Sequence, residues 1–303
     1  MKKTTILAAS AVALLGLGLT ACSSTADAAS GEASATCPDG KIRFGILPYE
    51  DPEALEPAYQ VLAEALSEKL DCPVEVSITE DYAAEVLAME NDQLEIAQFG
   101  PLGFVFANER AGATAMVSFG DAEGKPTTYT GGIWVPKDSP VQSLEDLKGK
   151  TLALGSPGST SGDALPMSAL VDAGIDEEVQ WDYAGGHPEA LLALTNGTVE
   201  AAQINSQTLA TAVAEGTFDT SKFRQVWESD PIPNDPITVR KNLPEEFQIA
   251  VKEALLSLDA ADVAKVSAFL GVDPAGPLIE VDNKTYQPLF ELADTMGLTE
   301  ADV

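Results

Sequence analysis

Short apolar or β-branched runs alternate with amphipathic helical stretches along nearly the whole chain, and this rhythm restricts the fold more than any single motif. Segment 41–47 reads as a strand, 55–70 as an amphipathic helix, 74–79 as a β-branched strand and 82–89 as a helix. A strand at 94–99, a helix at 102–109 and a strand at 115–119 follow. Such alternation lays strands parallel, with helices on both faces of a sheet. A second unit opens at 129–135 and continues through a strand at 151–154, a helix at 160–173, a strand at 179–183, a helix at 188–195 and a strand at 199–204. The last third holds 223–227, a proline-bearing stretch at 231–236, and helices at 245–256, 260–270 and 286–296.

The expected fold class is therefore α/β and two-lobed, each lobe a largely parallel sheet flanked by helices. The chain is expected to leave lobe I, build lobe II and return. Lobe I then comprises 38–128 plus 238–303 and lobe II comprises 129–237, with hinge crossovers near 128–134 and 232–238. Clefts at the carboxyl ends of strands are where such folds bind ligands.

The first residues bear on location. Lys2 and Lys3 precede an apolar run at 6–19, which is short for a bilayer span and reads as a secretory signal over 1–21. It ends in Leu19-Thr20-Ala21-Cys22, which looks like a bacterial lipobox with Cys22 as the lipidated residue. The Ser-, Ala- and Gly-rich stretch that follows, within 22–37, has too little apolar surface to fold and is expected to be a flexible tether. An extracytoplasmic protein anchored to the membrane by lipid is the expectation.

The net charge is −31, and loss of the leader with its two lysines makes it two units more negative. A nucleic-acid partner calls for a basic patch, and none is visible. An anionic ligand would have to be held by local donors against this field. Two further cysteines, Cys37 and Cys72, precede the first and second strands. Parallel neighbouring strands begin at the same sheet edge, so these two are expected to form a disulfide outside the cytosol. Neither has a nearby second Cys or His, and no metal or other cofactor is expected.

The most informative segment is Gly155-Ser156-Pro157-Gly158-Ser159-Thr160-Ser161-Gly162, between a strand and a helix. Free backbone N–H groups at a helix start attract anions, and three consecutive hydroxyls add donors. A plain cap would need only one of them. His187, the only histidine, stands in Gly185-Gly186-His187-Pro188 at another helix start. That position disfavours a cationic imidazole, so a neutral ring is expected.

From residue 41 to about 298 the chain resembles the phosphonate/phosphite-binding proteins of ABC importers, which have the type II periplasmic-binding-protein fold. The resemblance is carried by Asp81-Tyr82-Ala83, Glu95-Ile96-Ala97-Gln98-Phe99-Gly100, Lys137-Asp138-Ser139-Pro140, Gly158-Ser159-Thr160-Ser161-Gly162, Gly186-His187 and Ile232-Pro233-Asn234-Asp235-Pro236-Ile237. It implies that Ser159, Thr160 and Ser161 cradle phosphorus oxygens, that Tyr82, Tyr129 and His187 donate to the ligand, and that Asp235 accepts from it. It places Gln207 where relatives that take aminoalkyl phosphonates carry a glutamate, which favours a ligand without an amine: phosphite, hypophosphite or a small alkyl phosphonate. It further implies a permease and an ATPase as partners, with a monomeric receptor delivering the ligand.

Two other readings use the same residues. The fold equally accommodates another anion, such as phosphate or a sulfonate. Ser161, His187 and Asp235 are also the residue types of a hydrolase, although the centre of the Gly-x-x-x-Gly segment is Thr160 where a nucleophile elbow needs serine. No enzyme is therefore expected.

Overall fold

The computed structural model describes residues 36–299. The leader, Cys22 and nearly all of the tether lie outside the described residues. Among those described, no helix is long and apolar enough to cross a membrane.

The chain first lays down β1 (Ile42–Ile46), β2 (Val74–Ile78), β3 (Ile96–Gln98) and β4 (Thr114–Asp121), joined by α1 (Pro52–Leu70), α2 (Tyr82–Glu90) and α3 (Pro101–Ala111). It passes through β5 (Thr128–Tyr129) into β6 (Gly132–Pro136), β7 (Thr151–Leu154), α4 (Leu165–Asp172), β8 (Gln180–Tyr183), α5 (His187–Thr195), β9 (Ala201–Gln203), α6 (Ser206–Ala214) and β10 (Phe223–Glu228). It returns by β11 (Ile232–Pro233), which pairs antiparallel with β5, and continues into β12 (Ile237–Val239), α7 (Glu245–Leu256), α8 (Ala260–Phe269), β13 (Ala275–Glu280) and α9 (Gln287–Met296).

Two large sheets result. One runs β13-β4-β12-β3-β1-β2 and the other β10-β6-β9-β7-β8. Both are mixed rather than largely parallel. β1 pairs parallel with β2 and β3, and β7 with β8 and β9. The strands that enter on the far side of a crossover, β12 in the first sheet and β6 in the second, run antiparallel to their neighbours. A chain crossing directly from one sheet to the other arrives without a helical return, so the parallel hand of the βαβ unit is not imposed on it.

The elements form where local chemistry favours them. Asp51 caps α1 by accepting from the Glu53 amide at 2.9 Å, with Pro52 in the first turn. Leu55, Tyr59, Leu62 and Leu66 then make one buried stripe of that helix. Ile42, Phe44 and Ile46 of β1 pack in the same core cluster. Cys37 and Cys72 are disulfide-bonded just before β1 and β2, with Cα atoms 5.7 Å apart.

The short strand β12, helix α6 and strand β13 escaped the sequence pattern. α6 carries Thr208, Thr211 and Val213, which lower intrinsic helix propensity. Its start is set by Asn205, whose Oδ1 accepts from the Thr208 amide at 2.7 Å. β13 contains Gly276 and Pro277, residues unsuited to a central strand. It is tolerated because β13 is an edge strand with an irregular register between Ala275 and Leu278.

Candidate functional site

The segment after β7 folds as one π turn, Thr160–Ala164, that leads into α4. The expected regular helix at 160–173 thus begins with a wider turn, a form that recurs at functional sites. Ser159 is its cap and accepts from the Gly162 amide at 3.1 Å. Gly162 is needed here because a Cβ would lie 2.8 Å from Ser159 Oγ and 2.9 Å from His187 Cε1. Gly158, at φ +76°, turns its amide to the Asp163 carboxylate at 2.9 Å.

The three hydroxyl residues are buried and each has partners. Ser159 Oγ lies 3.2 Å from His187 Nε2. Thr160 Oγ1 accepts from the Leu102 amide of α3 at 2.9 Å, which joins the two sheets' flanks. Asn205 donates to Ser161 Oγ at 3.4 Å. Tyr82, the first residue of α2, reaches Ser159 with its phenol. Tyr129 of β5 reaches Ser161 and Thr160. Burial pushes both phenols well above the usual tyrosine range, so both remain neutral donors.

His187 opens α5 and is buried, with Nδ1 3.0 Å from Gln203 Oε1. Burial lowers its pKa to about 4, so the ring is neutral, as expected, though desolvation rather than helix polarity is the main cause. Asp235 is buried on the return crossover and accepts from Gln98 Nε2 at 3.3 Å. Burial raises its carboxyl to about 7. Its negative charge helps to raise the pKa of Tyr49, Tyr59, Tyr82, Tyr129 and Glu85.

Gln207 is engaged differently. Its amide nitrogen donates to Asn234 Oδ1 at 2.7 Å and to the Leu270 carbonyl at 3.1 Å. It ties α6 to the crossover and to the end of α8, and that nitrogen is not offered to a cleft ligand. The residue types of a hydrolase do not assemble either. His187 meets Ser159 and Gln203, whereas Ser161 meets Asn205 and Asp235 meets Gln98.

A cavity of about 600 Å³ borders this cluster, lined by Tyr49, Glu50, Tyr82, Ser156, Pro157, Gly186 and Glu189 among others. Glu50 accepts from the Thr208 hydroxyl at 3.0 Å. Burial, with Glu189, Glu215 and Asp51 nearby, raises Glu50 to about 7. Among the described residues no group of three or more His, Cys, Asp or Glu is arranged to hold a metal ion. The arrangement can offer neutral O–H and N–H donors, plus the raised carboxyls of Asp235 and Glu50, to a small anion.

Sequence reasoning missed Gln98, Gln203, Asn205, Glu50 and the Leu102 amide. Gln98 stands inside a quoted motif, but neutral amides in strands carry no periodic signal of their own. The Leu102 amide belongs to the backbone and leaves none.

The model for the family described as "ABC transporter, phosphonate, periplasmic substrate-binding protein" matches residues 44–286. The Escherichia coli (strain K12) phosphonates-binding periplasmic protein is 30% identical over 210 residues, 67% of this chain and 62% of that protein. The match thus spans less than two thirds of that relative's length. A binding protein component of an ABC phosphonate transporter from Pseudomonas aeruginosa superposes with a TM-score of 0.73 at 25% identity, covering 83% of this chain and 84% of the other. PhnD1 from Prochlorococcus marinus (MIT 9301), solved in complex with methylphosphonate, superposes with a TM-score of 0.75 at 19% identity, covering 85% and 98%. With the type II periplasmic-binding-protein architecture shared with these structures, the chain belongs to the family of phosphonate ABC transporter periplasmic substrate-binding proteins.

Proposed function

We propose that this protein captures a small phosphorus oxyanion, of the phosphite, hypophosphite or alkyl phosphonate kind, outside the cytoplasm and hands it to a membrane permease coupled to an ATPase. The observation that carries this reading is the convergence of Ser159, Thr160, Ser161, Tyr82, Tyr129, His187 and Asp235, all buried and none cationic. Neutral donors bind an anion in an acidic protein without requiring a lysine or arginine. The relative from Escherichia coli is named for phosphonates, and the Prochlorococcus structure holds methylphosphonate.

The two sheets act as lobes, 38–128 plus 238–303 against 129–237, that close over the ligand. Contacts from both sides, Thr208 with Glu50 and Leu102 with Thr160, support closure as the capture step. A neutral Gln207 whose amide nitrogen is already committed favours ligands without an ammonium group. Cys22 anchors the monomeric receptor to the membrane through lipid.

Calorimetry with phosphite, hypophosphite, methylphosphonate, 2-aminoethylphosphonate, phosphate and methanesulfonate tests this. Phosphite, hypophosphite or methylphosphonate should bind most tightly. Tightest binding of the sulfonate, or no heat from any phosphorus compound, overturns the ligand class. Much tighter binding of 2-aminoethylphosphonate overturns the preference against an amine.

A further inference from the structure

Gln203 ends β9 at 0% exposure, and its amide reaches the chain's single histidine. Gln203 Oε1 lies 3.0 Å from His187 Nδ1, and His187 Nε2 lies 3.2 Å from Ser159 Oγ. An oxygen facing Nδ1 places the ring proton there, so Nε2 is an acceptor and the Ser159 hydroxyl proton turns toward the imidazole. Ser159 Oγ meanwhile accepts from the Gly162 amide. In this arrangement Ser159 has no proton to give an anion.

A second observation points the same way. Gln203 Nε2 is buried without a hydrogen-bond partner among the described residues. A stranded amide donor is costly, and rotating the amide by half a turn exchanges its oxygen for its nitrogen. Nε2 of Gln203 then donates to His187 Nδ1. The ring proton leaves Nδ1 and one is taken up at Nε2, with no change in charge. His187 Nε2–H donates to Ser159 Oγ, and the Ser159 proton is left free.

We propose that, with an oxyanion in the cradle, Gln203 turns its amide nitrogen to His187, holds the ring as the Nε2–H tautomer and so commits the Ser159 hydroxyl proton to the ligand. Gln203 is a positioning residue: it acts through His187 and Ser159 and need not touch the ligand. The burial that keeps His187 neutral makes the device workable, because a cationic ring would donate from both nitrogens and erase the distinction. The inference rests on the oxyanion reading above.

The test uses the intact protein labelled with 15N at histidine, whose imidazole spectrum reports His187 alone. Methylphosphonate binding is first measured by calorimetry on the same sample. At saturation the protonated nitrogen should be Nε2, with Nδ1 showing the shift of an unprotonated acceptor. Gln203→Glu can only accept at this position, so at a pH where the 15N spectrum shows a singly protonated ring it should hold the proton on Nδ1 and weaken methylphosphonate by at least about tenfold, about 1.4 kcal/mol. A saturated wild-type sample with its proton on Nδ1 overturns the inference, whatever the variant does. Wild-type affinity in a Gln203→Glu protein protonated at Nδ1 overturns it too. No binding of methylphosphonate, phosphite or hypophosphite overturns the ligand reading and this inference with it, and the calorimetry reveals that before any tautomer is read.

Discussion

The Thr160 hydroxyl accepts a hydrogen bond at 2.9 Å from the backbone amide of Leu102. The cap residue of α3, Gly100, has no side chain with which to do this. A residue flanking the second sheet therefore caps a helix that flanks the first, and the same oxygen keeps its own proton for other use. Thr160→Ala removes the cap and, in the proposed cradle, a ligand donor together. Methylphosphonate binding should weaken by about 1–3 kcal/mol, the cost of leaving a buried hydrogen-bonding partner unsatisfied, while Thr160→Ser should stay close to wild type. Equal affinities of all three proteins would remove Thr160 from the site.

Gly162 is predicted to be intolerant of any side chain. An alanine Cβ would meet Ser159 Oγ at 2.8 Å and His187 Cε1 at 2.9 Å, so the hydroxyl and the ring must separate. Calorimetry on Gly162→Ala should show methylphosphonate weakened by about tenfold or more, roughly the 1–3 kcal/mol cost of overpacking expressed at the site. Gly174→Ala is a poor control because Gly174 needs φ +64°, whereas Ser168→Ala, at a half-buried position outside the hydroxyl cluster, is not subject to that strain.

Asp235 should leave a signature in the pH dependence of stability. Burial raises its carboxyl from 3.8 to about 7, so between these values the folded state holds a proton that the unfolded chain has lost. Its contribution to stability is therefore largest at low pH and falls as pH climbs to about 7. His187 works in the opposite sense: lowered from 6.5 to about 4, it costs stability as pH falls through that interval. Urea unfolding of wild type and Asp235→Asn across pH 4 to 8 separates the two. The wild-type stability relative to the variant should decline up to about pH 7 and level off above it. A difference independent of pH would place the carboxyl's titration elsewhere.

Glu95 is fully buried and pairs with Arg43, whose Nε donates to it at 3.0 Å, and with Arg240 at 3.6 Å. It also accepts from the Arg43 backbone amide at 2.8 Å, which ties it to β1. Glu95→Ala leaves buried Arg240 without this carboxylate. The expected loss is about 3–5 kcal/mol in unfolding free energy, measured by urea denaturation. Ligand affinity at saturating folded protein should be unchanged, since Glu95 has no contact with the hydroxyl cluster.

Much of the architecture was legible because period and punctuation are local. Ile42, Phe44 and Ile46 alternate as a buried strand must, and Leu55, Tyr59, Leu62 and Leu66 recur as a helix stripe must. The hydroxyl run at 159–161 stood out because no single cap requires it. The antiparallel entries of β6 and β12 were not legible, since strand direction after a crossover is not encoded in hydrophobic period. α6 was hidden by its threonines, and β13 by Gly276 and Pro277.

The sequence by itself determined an α/β chain with a hydroxyl-rich helix start, a single histidine and a late proline-bearing crossover. These follow from residue types and their spacing, which act over a few positions. Only the tertiary structure decided which donors meet: Leu102 with Thr160, Gln203 with His187, Gln207 with Asn234. Such pairings join residues far apart in the chain, and a hydrogen bond depends on where folding brings two atoms rather than on where they stand in sequence.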